Sequence, residues 1–253
     1  MRGHNYINGQ WRDSVSERTF EKHNPANTAD VVGVFPRSDS GDVDGAVQAA
    51  RSAFPEWRAT SFIRRAETLD RFIRLVQDDF ENLARLMARE GGKVLAESRA
   101  DVTEGIHMAQ YMVGRARMSV GDIVASEIAE KDSYILRKPK GVVAAITPWN
   151  FPFAIPMWSI MPSLATGNTV VFKPAEETPG CGQKVADYLH EAGLPAGVFN
   201  LVHGFGEEAG WPLVVHPDVD VVLFTGSYEV GAKIKEAVAR DFRKMAACEM
   251  GGK

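Results

Sequence analysis

From Gly141 onward, short and nearly uninterrupted apolar runs alternate with stretches of helical character, and this alternation constrains the fold more than any other feature. Residues 141–147, 169–172, 198–202 and 221–224 read as strands, and Lys244 to Glu249 opens another. The stretches that follow them read as helices: up to Thr166, over 182–192, a short one after Gly204-Phe205-Gly206, and one to about Arg240. A strand that is apolar on both faces is covered on both faces. The pattern therefore predicts an α/β fold, a doubly wound parallel sheet of Rossmann-like type with helices on each side. In such sheets ligands bind outside the carboxyl ends of the strands.

The first half reads as mainly helical after an extended entry. Tyr6-Ile7-Asn8-Gly9-Gln10-Trp11 has the form of a hairpin with Asn-Gly as its turn, and residues 31–35 form a strand before Pro36. Ser40 is positioned to cap a helix that stops at Phe54, before Pro55. Phe62, Ala66, Leu69, Phe72, Ile73 and Val76 follow helical spacing, as do Phe80, Leu83, Leu86 and Met87 ahead of Gly91-Gly92. A further helix spans residues 95–118, weakened or interrupted by Gly105 and Gly114. Residues 133–139 alternate like a half-exposed strand and read as an arm rather than a core element.

A formal charge of −4 over 253 residues leaves no basic surplus for general nucleic-acid binding. No apolar run approaches the ~18 residues of a membrane span, so neither nucleic acid nor membrane is an expected partner. Two cysteines, Cys181 and Cys248, and a start without an apolar leader point to a reducing, cytoplasmic setting. The six histidines show no metal-ligand spacing, and no metal is expected. The chain stops just after a strand-like run and Gly251-Gly252, which reads as a truncation.

The unusual residues gather at the predicted strand ends: Asn150, Lys173, Glu176, Gly206, Gly226, Ser227 and Glu249. The series Gly204, Gly206, Gly210 and the pair Gly226, Gly231 put small residues where loops enter helices, a setting that suits a pyrophosphate or simply a tight turn. Lys173 and Glu176 would contact ribose hydroxyls, or form a solvated ion pair. Asn150 would donate its amide to a developing oxyanion, or cap a helix ahead of Pro152. Glu249 is a candidate general base, or half of a structural ion pair. Cys248 adjoins it, but neighbours on a strand point to opposite faces, so thiol and carboxylate should diverge. Cys181 reads as buried filler.

Ile146-Thr147-Pro148-Trp149-Asn150-Phe151-Pro152, Gly167-Asn168-Thr169-Val170-Val171-Phe172-Lys173-Pro174-Ala175-Glu176, Phe224-Thr225-Gly226-Ser227-Tyr228-Glu229-Val230-Gly231 and Glu249-Met250-Gly251-Gly252-Lys253 together resemble the aldehyde dehydrogenase superfamily, in its order and spacing. The resemblance covers about the first half of the family's usual chain. It implies oxidation of an aldehyde to a carboxylate with NAD, NADP being the alternative. Asn150 would serve the oxyanion and Glu249 the base. Thr147, Pro148, Trp149, Lys173, Ala175 and Glu176 would line the adenosine side. Gly206 and Gly210 would let the cofactor approach closely, and Ser227 would meet the pyrophosphate. Phe224, Gly226 and Met250 would lie toward the nicotinamide.

The resemblance further implies that residues 1–120 and 140–253 form the NAD-binding domain, with 121–139 an arm for a homo-oligomer, dimer or tetramer, in the full-length protein. The family's cysteine nucleophile and substrate half would lie beyond this chain, leaving it inactive alone. Methionine after Glu249 hints at an amino-acid semialdehyde as substrate. Two other readings stay open: a catalytically silent cofactor-binding or structural homologue, and acyl transfer to coenzyme A, which a water-activating Glu249 disfavours.

Overall fold

The computed structural model describes residues 1–118 and 120–251, so Gly252 and Lys253 of the last motif lie outside the described residues. The apolar runs form β7 (Val142–Ile146), β8 (Thr169–Lys173), β9 (Phe199–Leu201), β10 (Val221–Gly226) and β11 (Met245–Met250). All pair in parallel. The entry hairpin, β1 (Asn5–Ile7) and β2 (Gln10–Arg12), extends the same sheet antiparallel through Tyr6 opposite Leu201. Asn8 and Gly9 take positive φ, 52° and 77°, as a tight two-residue turn requires. The strand order is β11-β10-β7-β8-β9-β1-β2. The chain runs from β7 through β8 to β9 on one side and crosses to β10 on the other. The order therefore reverses beside β7, which opens a crevice at the carboxyl ends of β7 and β10.

The period of two divides the sheet's side chains between two cores. Val143, Ala145, Val170 and Phe172 pack beneath α2 (Phe62–Asp78), α3 (Phe80–Gly91), α4 (Leu95–Arg115), α5 (Ala154–Ala165) and α6 (Pro179–Glu191). Val142, Ala144, Ile146 and Val171 face α1 (Ser40–Ala59), α7 (Trp211–Val215) and α8 (Tyr228–Val238). No helix among the described residues is long and apolar enough to cross a membrane.

Several local readings change. α1 is capped by Asp39, in a reciprocal box with Asp42, rather than by Ser40, and it continues through Pro55 to Ala59. Proline inside a helix costs about 3 kcal/mol. The extra turn buries Trp57, whose Nε1 donates to the Leu164 carbonyl at 3.1 Å, and this packing wins. Gly105 and Gly114 do not interrupt α4. The strand expected at 31–35 is the longer β4 (Asn27–Pro36), paired with β3 (Thr19–Asn24), which the sequence pattern did not reveal. The segment after Gly204 is a π-helical turn, Gly206–Gly210, leading into α7. Residues 121–139 contain a separate antiparallel hairpin, β5 (Gly121–Val124) with β6 (Ser133–Leu136).

Candidate functional site

The crevice at the strand ends is a cavity of about 590 Å³, within the roughly 300–1,000 Å³ typical of small-molecule sites. Thr147, Pro148 and Trp149 leave β7 along one wall; Lys173, Ala175 and Glu176 leave β8 along the next. Gly206 and Gly210, in the π-helical turn, lie across from Phe224, Gly226 and Ser227 at the end of β10. Of the residues expected to hold a cofactor, the cavity thus gathers all but Met250. Trp211, Val214, Val230 and Lys233 also line it. They are helix residues whose facing is set only once the helices dock.

Lys173 is the most unusual group there. It is 3% exposed, the last residue of β8, and its Nζ donates to Glu176 Oε2 at 2.8 Å. The ion pair therefore forms, but its ammonium is not solvated, and burying an ammonium is expensive unless it is paired. An ammonium has three donors, and Glu176 is its one partner among the described residues. Ser227 caps α8, its hydroxyl accepting from Val230 N at 3.3 Å, so this helix opens directly onto the cavity. A Cβ on Gly206 would meet nothing within 4 Å, leaving bare backbone at the opposite wall. A buried cation, a helix N-terminus and open backbone suit an anionic, hydroxyl-bearing ligand, and they fit a dinucleotide.

Gly226 and Gly231 have packing reasons as well. A Cβ on Gly226 would lie 2.4 Å from the Phe224 ring, and one on Gly231 would lie 2.2 Å from Met250 Sδ. Met250 therefore packs against α8 with the second core, not in the cavity. The contact with the cofactor near the nicotinamide that the resemblance implied for Met250 has no support in this packing.

Asn150 lies outside the main cavity, in a neighbouring one of about 380 Å³ lined by Lys93, Phe151 and the shared Trp149. Its side chain is exposed and does not cap α5, which begins at Ala154. The cap comes from Asp101 on α4, whose Oδ1 accepts from Ala154 N at 2.7 Å. Asp101 also pairs with Lys93 at 3.0 Å, and Lys93 Nζ donates to the Asn150 carbonyl at 3.0 Å. Sequence reasoning missed Lys93 and Asp101, because nothing local marks a contact made across the fold.

Glu249 is exposed on β11, in register with Thr225, which lines the cavity. Cys248 points the other way, its Sγ 3.9 Å from the Gly231 carbonyl, and partial burial raises its thiol pKa. Cys181 is fully buried, and desolvation pushes its thiol well above the ordinary value. Neither is an activated nucleophile. His203, buried behind Lys173, is held neutral with a pKa lowered to about 3, first by burial and then by that ammonium. Among the described residues no cluster of potential metal ligands occurs.

A family model described as the aldehyde dehydrogenase family matches residues 11–253. An alpha-ketoglutaric semialdehyde dehydrogenase of Bacillus subtilis is 40% identical over 249 residues, covering 98% of this chain and 51% of the relative. The crystal structure of an NAD-dependent aldehyde dehydrogenase from Sinorhizobium meliloti superposes with a TM-score of 0.96 at 36% identity, covering all of this chain and 50% of that one. A betaine aldehyde dehydrogenase from Staphylococcus aureus, crystallised with NAD+, gives 0.95 at 35% identity, over 99% of this chain and 50% of its own. The chain spans about half the length of the curated relatives it matches.

Proposed function

The chain belongs to the aldehyde dehydrogenase family, and from that premise we propose that it is the NAD-holding half of an enzyme that oxidises an aldehyde to a carboxylate. The observation that carries this reading is the buried Lys173, paired with Glu176, in a cavity at the switch point of the sheet, facing the N-terminus of α8. When bound, NAD supplies the hydride acceptor. Lys173 and Glu176 hold the adenosine ribose hydroxyls, beside Thr147, Pro148, Trp149 and Ala175. Ser227 and the first amides of α8 receive the pyrophosphate, with Gly206 and Gly210 allowing its approach. Phe224 and Gly226 form the wall toward the nicotinamide.

Asn150 donates its side-chain amide to the oxyanion that develops on the aldehyde, and Glu249 takes a proton as general base. Both lie at the carboxyl end of the sheet. Neither cysteine of this chain takes the role of nucleophile, for the reasons of burial given above. A semialdehyde is the finer substrate reading, supported by the name of the Bacillus relative. Residues 1–120 and 140–253 act as the nucleotide-binding domain and 121–139 as an arm that seats a second copy, in a cytoplasmic setting.

The test is a titration of the chain with NAD, read from quenching of Trp149 fluorescence, with Trp149→Phe as the control. Saturable quenching is expected, and Lys173→Met should weaken it about tenfold or more while leaving the fold intact. Absence of NAD binding to a folded chain would overturn the reading.

A further inference from the structure

One ammonium organises the turn that carries Asn150. Lys93 follows the end of α3 and is mostly buried. Its Nζ donates to the Asn150 carbonyl at 3.0 Å and to Asp101 Oδ2 at 3.0 Å, and it lies 4.4 Å from the centre of the Phe151 ring. Asp101 is wholly buried and uses its other oxygen to hold Ala154 N, the first amide of α5. The turn from Asn150 to Ala154 is thus clamped at both ends by one buried ion pair. Asn150's own side chain makes no hydrogen bond among the described residues, so its direction depends on the backbone beneath it. A charge-assisted bond to the carbonyl of that same residue is the most direct hold available.

We propose that Lys93 and Asp101 are positioning residues that fix the backbone at Asn150 so that its side-chain amide is aimed at the substrate oxyanion. This rests on the reading of Asn150 as the oxyanion donor. A merely structural pair would be expected to support the α4–α5 contact and nothing more. The structure gives Lys93 a different task, because its second bond goes to the carbonyl of the candidate donor and not to a helix.

The experiment has two arms. In the chain itself, amide hydrogen exchange is followed across residues 150–154 in the parent, in Lys93→Met and in Asp101→Asn, which keeps the acceptor for Ala154 N but removes the charge. Faster exchange localised to this turn is expected in both, and unchanged protection overturns the proposal. Should Lys93→Met not fold, the isosteric Asp101→Asn decides.

In the protein expressed from its complete reading frame, turnover of NAD with propanal is measured for Lys93→Met, Lys93→Arg, Asn150→Ala and the double variant Lys93→Met/Asn150→Ala. Misplacing a reacting group by an ångström costs up to about 10²-fold, so Lys93→Met should lower kcat roughly 10- to 100-fold with KM for NAD unchanged. Lys93→Arg should recover much of the loss. The double variant should be no worse than Asn150→Ala, since the two changes remove one function. Fully additive losses, or an undiminished kcat in Lys93→Met, would overturn the proposal while leaving Asn150 in its role. A normal kcat in Asn150→Ala would instead overturn the reading on which it rests, as would a parent without turnover.

Discussion

Glu176 accepts from an ammonium that is itself almost sealed from water, while its own side chain keeps 28% exposure at the cavity. That combination should favour NAD over NADP. NADP carries a phosphate on the adenosine ribose where NAD carries a hydroxyl. A carboxylate about 4 Å from a unit like charge costs roughly 4 kcal/mol at an effective dielectric of 20, before relaxation. Lys173 works in the opposite direction, but its charge is already shared with Glu176. NAD should therefore bind at least about tenfold more tightly than NADP, and Glu176→Gln should narrow the ratio. The ratio of the two dissociation constants, before and after the substitution, is the measurement. Equal affinities in the parent would show that Glu176 does not discriminate.

Two glycines of one helix separate packing from propensity. A Cβ on Gly105 would sit 2.5 Å from the Phe153 ring and 3.2 Å from Met157, where α4 crosses α5. Gly114 would meet nothing within 4 Å. Gly114→Ala should stabilise the chain by about 0.5–1 kcal/mol, the helix-propensity difference. Gly105→Ala should destabilise it by about 1–3 kcal/mol through overpacking. Denaturant midpoints of the two variants check both signs at once.

The start of α6 makes a pH-dependent prediction. Glu90 is fully buried and accepts from Gly180 N at 2.6 Å and Cys181 N at 2.9 Å. Burial outweighs these bonds and raises its pKa from 4.5 to about 7. An acid with a raised folded pKa binds more protons in the folded state. Its contribution is complete below about pH 4.5 and is lost as the pH climbs through 7. A shift of this size corresponds to about 3 kcal/mol. The parent should lose stability between pH 5 and pH 8 relative to Glu90→Gln, which cannot ionise. Melting curves of both at the two pH values test it, and parallel curves would count against the prediction.

At the scale of the molecule, the hairpin of residues 121–136 presents an uncovered apolar surface. β5 and β6 pair in a hairpin whose register puts Ile123, Tyr134 and Leu136 on one face, 76%, 61% and 60% exposed. A two-stranded hairpin is marginal in water by itself, and an apolar face of this kind asks for a partner surface. A second copy of the chain is the occupant proposed above. Light scattering should give a mass above the 27.7 kDa of one chain, and Ile123→Lys with Leu136→Lys should return it to that value. A parent that is monomeric at high concentration would remove the arm's proposed role.

The parallel sheet was readable from the pattern of residues, because strands apolar on both faces have no stable place except between two layers of helices. That pattern also pointed to the residues that follow the strands as the walls of the cavity, though not to the helix residues that complete it. A parallel sheet collects residues that follow its strands at one end, so Lys173, Glu176, Gly206, Gly226 and Ser227 were legible as a group from the pattern, and Trp149 only through the family resemblance. Tertiary structure alone decided the rest. That Lys173 is buried, that α1 runs through Pro55, that Met250 packs on Gly231, and that Asp101 rather than Asn150 caps α5 all depend on contacts between residues far apart in the chain. Local pattern carries no record of such contacts: their energies arise from desolvation and close packing, which exist only once the layers have met.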